Sequence, residues 1–134
     1  MNLEWIQKYF KVEPHDVEQL ENPEKYILES GGQIFFALYQ NQVVGTVALV
    51  KNSDTDYEMA KMAVNPQYQG IGAGKVLCAH TIQAAKDLGA KVLWLVSSTQ
   101  LTPALTMYRK LGFVEVPIGE TEYSRADIKM EIVF

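Results

Sequence analysis

The sequence predicts an α/β (α+β) domain built on a mixed, mostly antiparallel sheet that is flanked by helices. Three β-rich runs separated by short polar turns predict an antiparallel meander: Gln33 to Tyr39, Val43 to Val50 and Tyr57 to Val64. A glycine turn, a helix and the apolar run Lys91 to Val96 follow, which predicts a right-handed crossover and one parallel strand pair. The last run, Asp127 to Phe134, alternates apolar and polar residues as a half-buried strand does.

Length and composition restrict the class of protein. A chain of 134 residues with 48% apolar and 21% charged residues predicts one soluble globular domain over residues 1–134. The net charge of −4 argues against a general nucleic-acid binder. The single cysteine excludes an internal disulfide and favours a reducing cytoplasm. No apolar run reaches the ~18 residues of a membrane span, and no signal-peptide core is seen, so we expect no membrane partner.

The N-terminal region predicts helices and turns. Apolar residues from Met1 to Phe10 have helical spacing, and Glu13 to Asp16 is typical of a turn. Asp16 to Leu20 and Asn22 to Leu28 are predicted as two further helical segments, the second of which ends at Gly31-Gly32. The sequence therefore predicts no strand before residue 33.

Turn and capping residues predict the remaining elements. Gln40-Asn41-Gln42 joins the first two strands as a hairpin, and Gly45 predicts a bulge in the second strand. The helix after the glycine turn is expected to end near Lys86 with Gly89 as its cap. The last elements are a helix that starts at Thr102-Pro103 and ends at Leu111, a strand from Phe113 to Val116 and an irregular loop from Pro117 to Ser124.

The glycine turn Gln69-Gly70-Ile71-Gly72-Ala73-Gly74 lies between the third strand and the first long helix. Backbone N–H groups at a helix start, together with the helix dipole, form an anion site, and glycine lets a phosphate approach closely. A P-loop is excluded because position 69 is Gln and Lys75 is followed by Val76 instead of Ser or Thr. The glycine spacing also differs from that of a dinucleotide fingerprint. A glycine-rich turn with a purely structural role remains the alternative.

Two motifs resemble those of the GNAT N-acetyltransferase superfamily. Gln69-x-x-Gly72-x-Gly74, after a strand and Asn-Pro, resembles the turn that binds the pyrophosphate of acetyl-CoA through backbone N–H groups and without a metal. Ala104 to Phe113 resembles the second signature, a helix that carries a tyrosine before a Lys-x-Gly-Phe-type ending. The resemblance covers roughly residues 33 to 134. It implies a splayed sheet with acetyl-CoA between the strands at 57–64 and 91–96.

The resemblance also implies the residues that bind acetyl-CoA. Backbone N–H groups near Met62 and Val64 would bind the pantetheine arm, and the Val64 N–H is the candidate oxyanion donor. The region Ser98-Thr99-Gln100-Leu101 stands where many members of the family carry an asparagine, so another group must make the hydrogen bond of that residue. The full set of expected cofactor-binding residues is Met62, Ala63, Val64, Gln69, Gly70, Ile71, Gly72, Ala73, Gly74, Lys75 and Ser98.

Acetyl transfer to an amine sets the catalytic requirements. A free amine with a pKa of ~10 is mostly protonated at pH 7, so a base must remove a proton, directly or through water. By the resemblance, Tyr108 is the general acid for the departing thiolate; the alternative is a core tyrosine. Glu58 is the candidate base, through water, and by alternation it shares one strand face with Ala60, Met62 and Val64. The alternative for Glu58 is a solvated carboxylate with no chemical role.

Other chemistry-bearing residues receive structural interpretations. Cys78 lies in mid-helix with no paired base, so it is expected to pack in the core and not to carry an acyl group. His15 and His80 lack metal-ligand spacing, and no metal is expected. The residues that enter the last strand, Tyr123, Arg125 and Asp127, contact either the acceptor or a partner, or form a surface ion pair.

The sequence thus predicts an acetyl-CoA-dependent N-acetyltransferase that transfers an acetyl group directly to a primary amine, on a small molecule or a protein. A catalytically silent acyl-CoA-binding module and a purely structural interaction domain are the alternatives. One departure from the family pattern is that the first strand is predicted to be missing. An edge left unpaired in this way would favour a homodimer.

Overall fold

The structure is a computed structural model that describes residues 10–14, 31–68, 72–118 and 126–134. Apart from Phe10, the helices predicted before residue 31 lie outside these ranges. The described strands are β1 (Phe10–Pro14), β2 (Gln33–Tyr39), β3 (Gln42–Lys51), β4 (Asp56–Val64), β5 (Val92–Ser97), β6 (Val114–Val116) and β7 (Ile128–Val133). The described helices are α1 (Ala73–Asp87), α2 (Thr102–Lys110) and a 3₁₀ turn at Pro66–Tyr68.

The seven described strands form one sheet in the order β1-β2-β3-β4-β5-β7-β6. Strands β4 and β5 are the one parallel pair in it, and the other neighbours are antiparallel. The predicted α/β class, the mostly antiparallel sheet and the crossover through α1 are therefore confirmed. In the described ranges, neither helix is long and apolar enough to cross a membrane.

The prediction of a missing first strand is wrong. Strand β1 pairs antiparallel with β2, from Phe10 opposite Tyr39 to Pro14 opposite Phe35. The predicted helical spacing ended at Phe10, the first residue of β1, and Glu13 and Pro14 were interpreted as part of a turn, so no strand was predicted between them. Proline is tolerated at the end of an edge strand, because its missing N–H can face away from the sheet. Since β1 covers the edge of β2, the dimerisation expected from that edge loses its basis.

The β2–β3 hairpin forms as predicted. Gln40 and Asn41 both have positive φ, 51° and 64°, which is the conformation of a two-residue type I′ turn. The register changes from Ala37 opposite Gly45 to Leu38 opposite Val43, so the bulge lies at the residue that precedes Gly45.

Helices α1 and α2 pack on the same face of the sheet. A single cluster of buried residues joins α1, through Leu77, to α2, through Leu105. The sheet contributes Phe35, Leu49, Tyr57, Leu93 and Met130 to this core. The two helices also approach each other, because a Cβ on Gly74 would lie 3.9 Å from the Met107 Sδ.

The helix ends agree with the capping residues to within one position. After α1, the Gly89 N–H donates to the Lys86 carbonyl at 3.1 Å and the Ala90 N–H to the Ala85 carbonyl at 3.0 Å, which confirms the predicted cap. At the start of α2, Leu101 occupies the N-cap position and Thr102 is the first helical residue. The predicted N-cap at Thr102 is therefore displaced by one residue.

Candidate active site

A cleft opens where β4 and β5 separate. The two strands pair only from Asp56 to Glu58, opposite Val92 to Trp94, and diverge after these residues. The space between them forms a cleft of about 950 Å³. Its walls come from both strands, the loop after β5, the middle of α2 and the segment that enters β7. The splayed sheet expected from the sequence is thus present.

A bulge in β4 lies at the point of divergence. The register with β3 changes from Ala48 opposite Ala60 to Thr46 opposite Ala63, so two residues of β4 face one residue of β3. One of them, Lys61, has a φ of 55°, which is unusual for a residue with a side chain. A bulge increases the local twist and bends the strand, which directs the end of β4 away from β5.

Glu58 and Tyr108 reach this cleft from opposite faces of the sheet. Glu58 is 6% exposed and pairs with Trp94, so these two side chains share one face. Its neighbours along β4, Tyr57 and Met59, face the other way and belong to the core that contains Tyr108, which is 7% exposed. Both Glu58 and Tyr108 line the cleft. The structure therefore brings together the two residues predicted to be catalytic.

Burial controls the protonation of Tyr108. It raises the pKa of the phenol to about 12, and the thiol of Cys78 raises the pKa further when it is charged. The phenol is therefore protonated over the whole physiological range and is able to donate a proton. The pKa of Cys78 is itself raised by burial to about 12, and its side chain is 0% exposed within α1. Cys78 does not line the cleft, in agreement with its predicted packing role.

The glycine turn meets the end of β4. Gly72 precedes α1 with a φ of 98°, a conformation in which a Cβ is strained. A Cβ on Gly74 would lie 3.6 Å from the Val64 Cγ2, an ordinary contact distance. The N–H groups in the first turn of α1, which include those of Ala73, Gly74 and Lys75, have no acceptor within the helix by geometry. Gln69, Gly70 and Ile71 lie outside the described residues.

The end of β4 presents backbone groups towards the gap. The Asn65 N–H donates to the Val44 carbonyl of β3 at 2.7 Å. Because N–H groups alternate in direction along a strand, the Val64 N–H is directed away from β3, to the side on which β5 has diverged. Met62 lines the cleft, and Ala63 and Val64 continue the strand towards the glycine turn.

The loop after β5 forms the opposite wall. Ser98, Gln100 and Leu101 line the cleft. Within the loop, the Gln100 N–H donates to the Ser98 Oγ at 3.2 Å and the Leu101 N–H donates to the Ser98 carbonyl at 3.0 Å. Ser98 thus lies in the wall of the cleft, and its hydroxyl supports its own loop.

One pair in this wall was not predicted from the sequence. Asp127 accepts hydrogen bonds from the Thr99 N–H and the Thr99 Oγ1, both at 2.7 Å. The two residues are far apart in the chain, and the only signal was the position of Asp127 at the start of the last strand. The His80 ring makes an edge-to-face contact with the Phe35 ring, with 4.7 Å between the ring centroids, and His80 does not line the cleft. Among the described residues, no group of three or more His, Cys, Asp or Glu could hold a metal ion.

Comparison with known sequences identifies relatives of two kinds. The "[Ribosomal protein bS18]-alanine N-acetyltransferase" of Escherichia coli (strain K12) is 30% identical over 92 residues, which cover 69% of this chain and 62% of the relative. An uncharacterized N-acetyltransferase of Mycobacterium tuberculosis is 30% identical over 89 residues, which cover 66% of this chain and 57% of the relative. The chain therefore spans less than two thirds of the length of these curated relatives.

Solved structures share the fold. An IAA acetyltransferase from Bacillus cereus superposes with a TM-score of 0.78 at 21% identity and covers 93% of this chain and 99% of its own. A GNAT family acetyltransferase from Elizabethkingia anophelis with acetyl-CoA bound superposes with a TM-score of 0.76 at 20% identity and covers 94% and 99%. A family model described as the acetyltransferase (GNAT) family matches residues 1–113. Since that match spans most of the sequence of this chain, the chain belongs to the GNAT acetyltransferase family.

Proposed function

We propose that the domain is an acetyl-CoA-dependent N-acetyltransferase that moves an acetyl group directly to a primary amine. The observation that carries the proposal is the cleft between β4 and β5, which Glu58 and Tyr108 line from opposite faces of the sheet. The names of the relatives, which are N-acetyltransferases, support the same reaction.

The residues around the glycine turn fit a pyrophosphate. The space at Gly74 would accept a Cβ at ordinary distances, so packing within the protein does not itself require glycine there. A requirement for close approach by an anionic ligand explains the glycine instead. The first-turn N–H groups of α1 would bind the pyrophosphate of acetyl-CoA, with Gln69, Gly70 and Ile71 as predicted further contacts. Met62, Ala63, Val64 and Ser98 would bind the pantetheine arm.

The chemistry then assigns one role to each group. Glu58, through a water molecule, takes the proton from the acceptor amine, whose nitrogen attacks the thioester carbon. The Val64 N–H donates a hydrogen bond to the thioester oxygen as it gains negative charge. Tyr108 donates its proton to the sulfur as the C–S bond breaks, and the second proton that the nitrogen loses passes through water to the Tyr108 phenolate. The products are the acetylated amine and CoA with a free thiol, and both reactants are held in the cleft together.

The acceptor class stays open between a protein N-terminus and a small amine. The Escherichia coli relative is named for an alanine of a ribosomal protein, which makes a peptide with a free N-terminal alanine a suitable first probe. Glu58 lines the cleft as a carboxylate and would attract an ammonium group, whereas the Asp127 carboxylate is occupied by its bonds to Thr99. An amine panel should therefore contain both the peptide and small primary amines.

The experiment that tests the proposal is calorimetric titration of acetyl-CoA into the parent protein and two variants at Gly74. Gly74→Ala adds a Cβ that the protein accommodates, whereas Gly74→Glu adds a carboxylate at the proposed pyrophosphate position. We expect binding by the parent, weaker binding by Gly74→Ala and loss of binding by Gly74→Glu. Gly72 is a poorer choice because its φ of 98° makes any substitution strained.

Thermal unfolding of the Gly74 variants is the control for folding. A folded parent that does not bind acetyl-CoA would exclude the acetyltransferase function. Binding without thiol release from any member of the amine panel would instead support the silent acyl-CoA-binding module. That alternative has lost one of its reasons, since the first strand predicted to be missing is present as β1.

The remaining expectations from the sequence stay predictions. We expect residues 1–134 to act as a single domain, in the cytoplasm, without nucleic acid as a partner. The homodimer has lost the unpaired edge on which it was predicted, and analytical ultracentrifugation of the purified chain measures whether one forms.

A further inference from the structure

Asp127 ties the end of β5 to the start of β7 through three hydrogen bonds. Its N–H donates to the Ser97 carbonyl at 3.0 Å, which extends the β5–β7 pairing by one step. Its carboxylate accepts from both the N–H and the hydroxyl of Thr99, each at 2.7 Å. We name this set of contacts among Ser97, Thr99 and Asp127 the Asp127 clasp.

The clasp supports a wall of the cleft that has little other support. Gln100 and Leu101 line the cleft next to Thr99, and both are exposed, Leu101 by 53%. Leu101 is the N-cap residue of α2 and makes no side-chain cap hydrogen bond. Apolar packing therefore does little to hold these residues in place. Within the described part of the chain, and apart from the turn around Ser98, the hydrogen bonds that attach Thr99 to another segment are those to Asp127.

The clasp lies on the Glu58 face of the sheet. Ile128, the next residue, is buried in the core on the Tyr108 face, so alternation places Asp127 on the same face as Lys129. The Lys129 Nζ lies 4.8 Å from the centre of the Trp94 ring, and Trp94 pairs with Glu58. Asp127, Lys129, Trp94 and Glu58 thus share one face. In the proposed function this is the face from which the acceptor amine enters.

We propose that Asp127 is a positioning residue that holds Thr99, and through it Gln100 and Leu101, as the wall of the acceptor side of the cleft, beyond Ser98 on the cofactor side. The proposal rests on the proposed function, because it needs an acceptor. Asp127 acts through its two carboxylate oxygens, which accept hydrogen bonds from Thr99 and so hold the loop. Its negative charge is not required to touch the acceptor.

Two substitutions at Asp127 separate geometry from charge. In Asp127→Asn, the amide oxygen still accepts from the Thr99 N–H and the amide nitrogen donates to the Thr99 Oγ1, so the clasp is kept without the charge. In Asp127→Ala, both bonds are lost. With a short peptide that has a free N-terminal alanine as acceptor, we expect Asp127→Ala to raise KM roughly tenfold and Asp127→Asn to stay within about threefold of the parent. The kcat and the Kd for acetyl-CoA should change in neither variant.

Hydrogen exchange provides a second readout that needs no acceptor. Exchange at the amides of Thr99 to Leu101 should be faster in Asp127→Ala and close to that of the parent in Asp127→Asn. Thr99→Ala, which keeps the backbone bond and loses the hydroxyl bond, should fall between them. Asp54→Ala is the matched control, because Asp54 is an exposed carboxylate in the β3–β4 turn, with a side chain 95% exposed, and does not line the cleft.

Each contrary result overturns a specific claim. If Asp127→Asn raises KM as much as Asp127→Ala does, the charge acts directly and the positioning role is wrong. If Asp127→Ala raises the Kd for acetyl-CoA by the same factor as the KM for the acceptor, the wall belongs to the cofactor side of the cleft. If the parent is active and Asp127→Ala keeps both the KM and the amide protection of the parent, the positioning role of the Asp127 clasp is wrong and the proposed function stands. A parent that neither binds acetyl-CoA nor releases thiol overturns the proposed function instead.

Discussion

Tyr108 shows how the environment of one residue limits its chemistry. Burial raises the pKa of its phenol to about 12, so the proton that a general acid must donate stays in place well above pH 7. We therefore predict that the kcat of the parent does not fall between pH 8 and pH 10 through ionisation of Tyr108. Tyr108→Phe should lower kcat by about 10²-fold or more and leave the Kd for acetyl-CoA unchanged. A kcat near that of the parent in Tyr108→Phe would remove the assignment.

Cys78 makes the stability of the protein depend on alkaline pH. Its pKa rises by burial from 9.0 to about 12, so above pH 9 the unfolded chain loses a thiol proton that the folded chain keeps. Stability is thus full below pH 9 and falls as the pH rises towards 12. We predict a loss of about 1 kcal/mol from this thiol between pH 8 and pH 10 in urea unfolding.

The matched variant for this prediction is Cys78→Ala. Its smaller side chain lowers stability at both pH values, but it removes the thiol and should therefore show a smaller loss between pH 8 and pH 10. The folded parent should also react slowly with thiol reagents at pH 8, because the thiolate is the reactive form and the side chain is buried. Rapid labelling of the folded protein would contradict the burial.

At the scale of single residues, the sequence predicted those that belong to local motifs. Tyr108 and Gly72 were named from their neighbours in the chain. The predicted alternation that put Glu58 on one face with Met62 and Val64 is wrong, because the bulge in β4 turns those two residues to the core face. The pairing of Thr99 with Asp127 was not predictable, because only the β5–β7 pairing brings them together. No local periodicity encodes a contact between two strand ends.

The β4 bulge is the element on which the cleft depends. Within the bulge, Lys61 has a left-handed backbone conformation with a φ of 55°. Because its side chain is exposed, the strain arises from the backbone conformation and not from side-chain packing. We predict that Lys61→Gly raises the free energy of unfolding by up to about 1 kcal/mol, whereas Lys61→Val lowers it by roughly 1–2 kcal/mol, since β-branched residues disfavour this region.

Lys61→Ala controls for the loss of the lysine side chain, and its stability in urea unfolding should lie near that of the parent. If Lys61→Val is as stable as Lys61→Ala, the bulge is not held in the conformation described. This bulge in β4 was not predicted from the sequence. Gly45 gave a signal for the bulge in β3, but Lys61 carries no residue type that predicts positive φ.

Among the elements, β1 shows where local patterns conflict. The five residues from Phe10 to Pro14 are too few for alternation to outweigh the helical spacing that precedes them. Their strand conformation is provided by pairing with β2, which is a tertiary contact. The longer β2, β3 and β4 carry enough alternating or apolar residues to be predicted from their own sequence.

The splayed sheet creates a cleft that side chains line from both of its faces. The crossover through α1 fixes β4 and β5 as parallel neighbours, and their pairing ends after Glu58. Fold class and crossover followed from the sequence because each depends on element order. The position at which the strands separate did not, because it depends on the register of β4 with two neighbours at once.

A cleft that side chains line from both faces of the sheet predicts sequential kinetics. Acetyl-CoA and the amine can occupy the cleft together, so the acetyl group needs no covalent carrier. The only cysteine of the sequence is Cys78, which is fully buried outside the cleft with a pKa near 12 and is therefore unsuited to carry one. We predict intersecting initial-velocity lines when both substrates are varied, and no acetylated protein by mass spectrometry after incubation with acetyl-CoA alone. Parallel lines with an acetylated chain would overturn direct transfer and indicate a covalent route. Cys78→Ala then tests the carrier: loss of kcat would assign it to this thiol, and an unchanged kcat would assign it to another nucleophile of the chain.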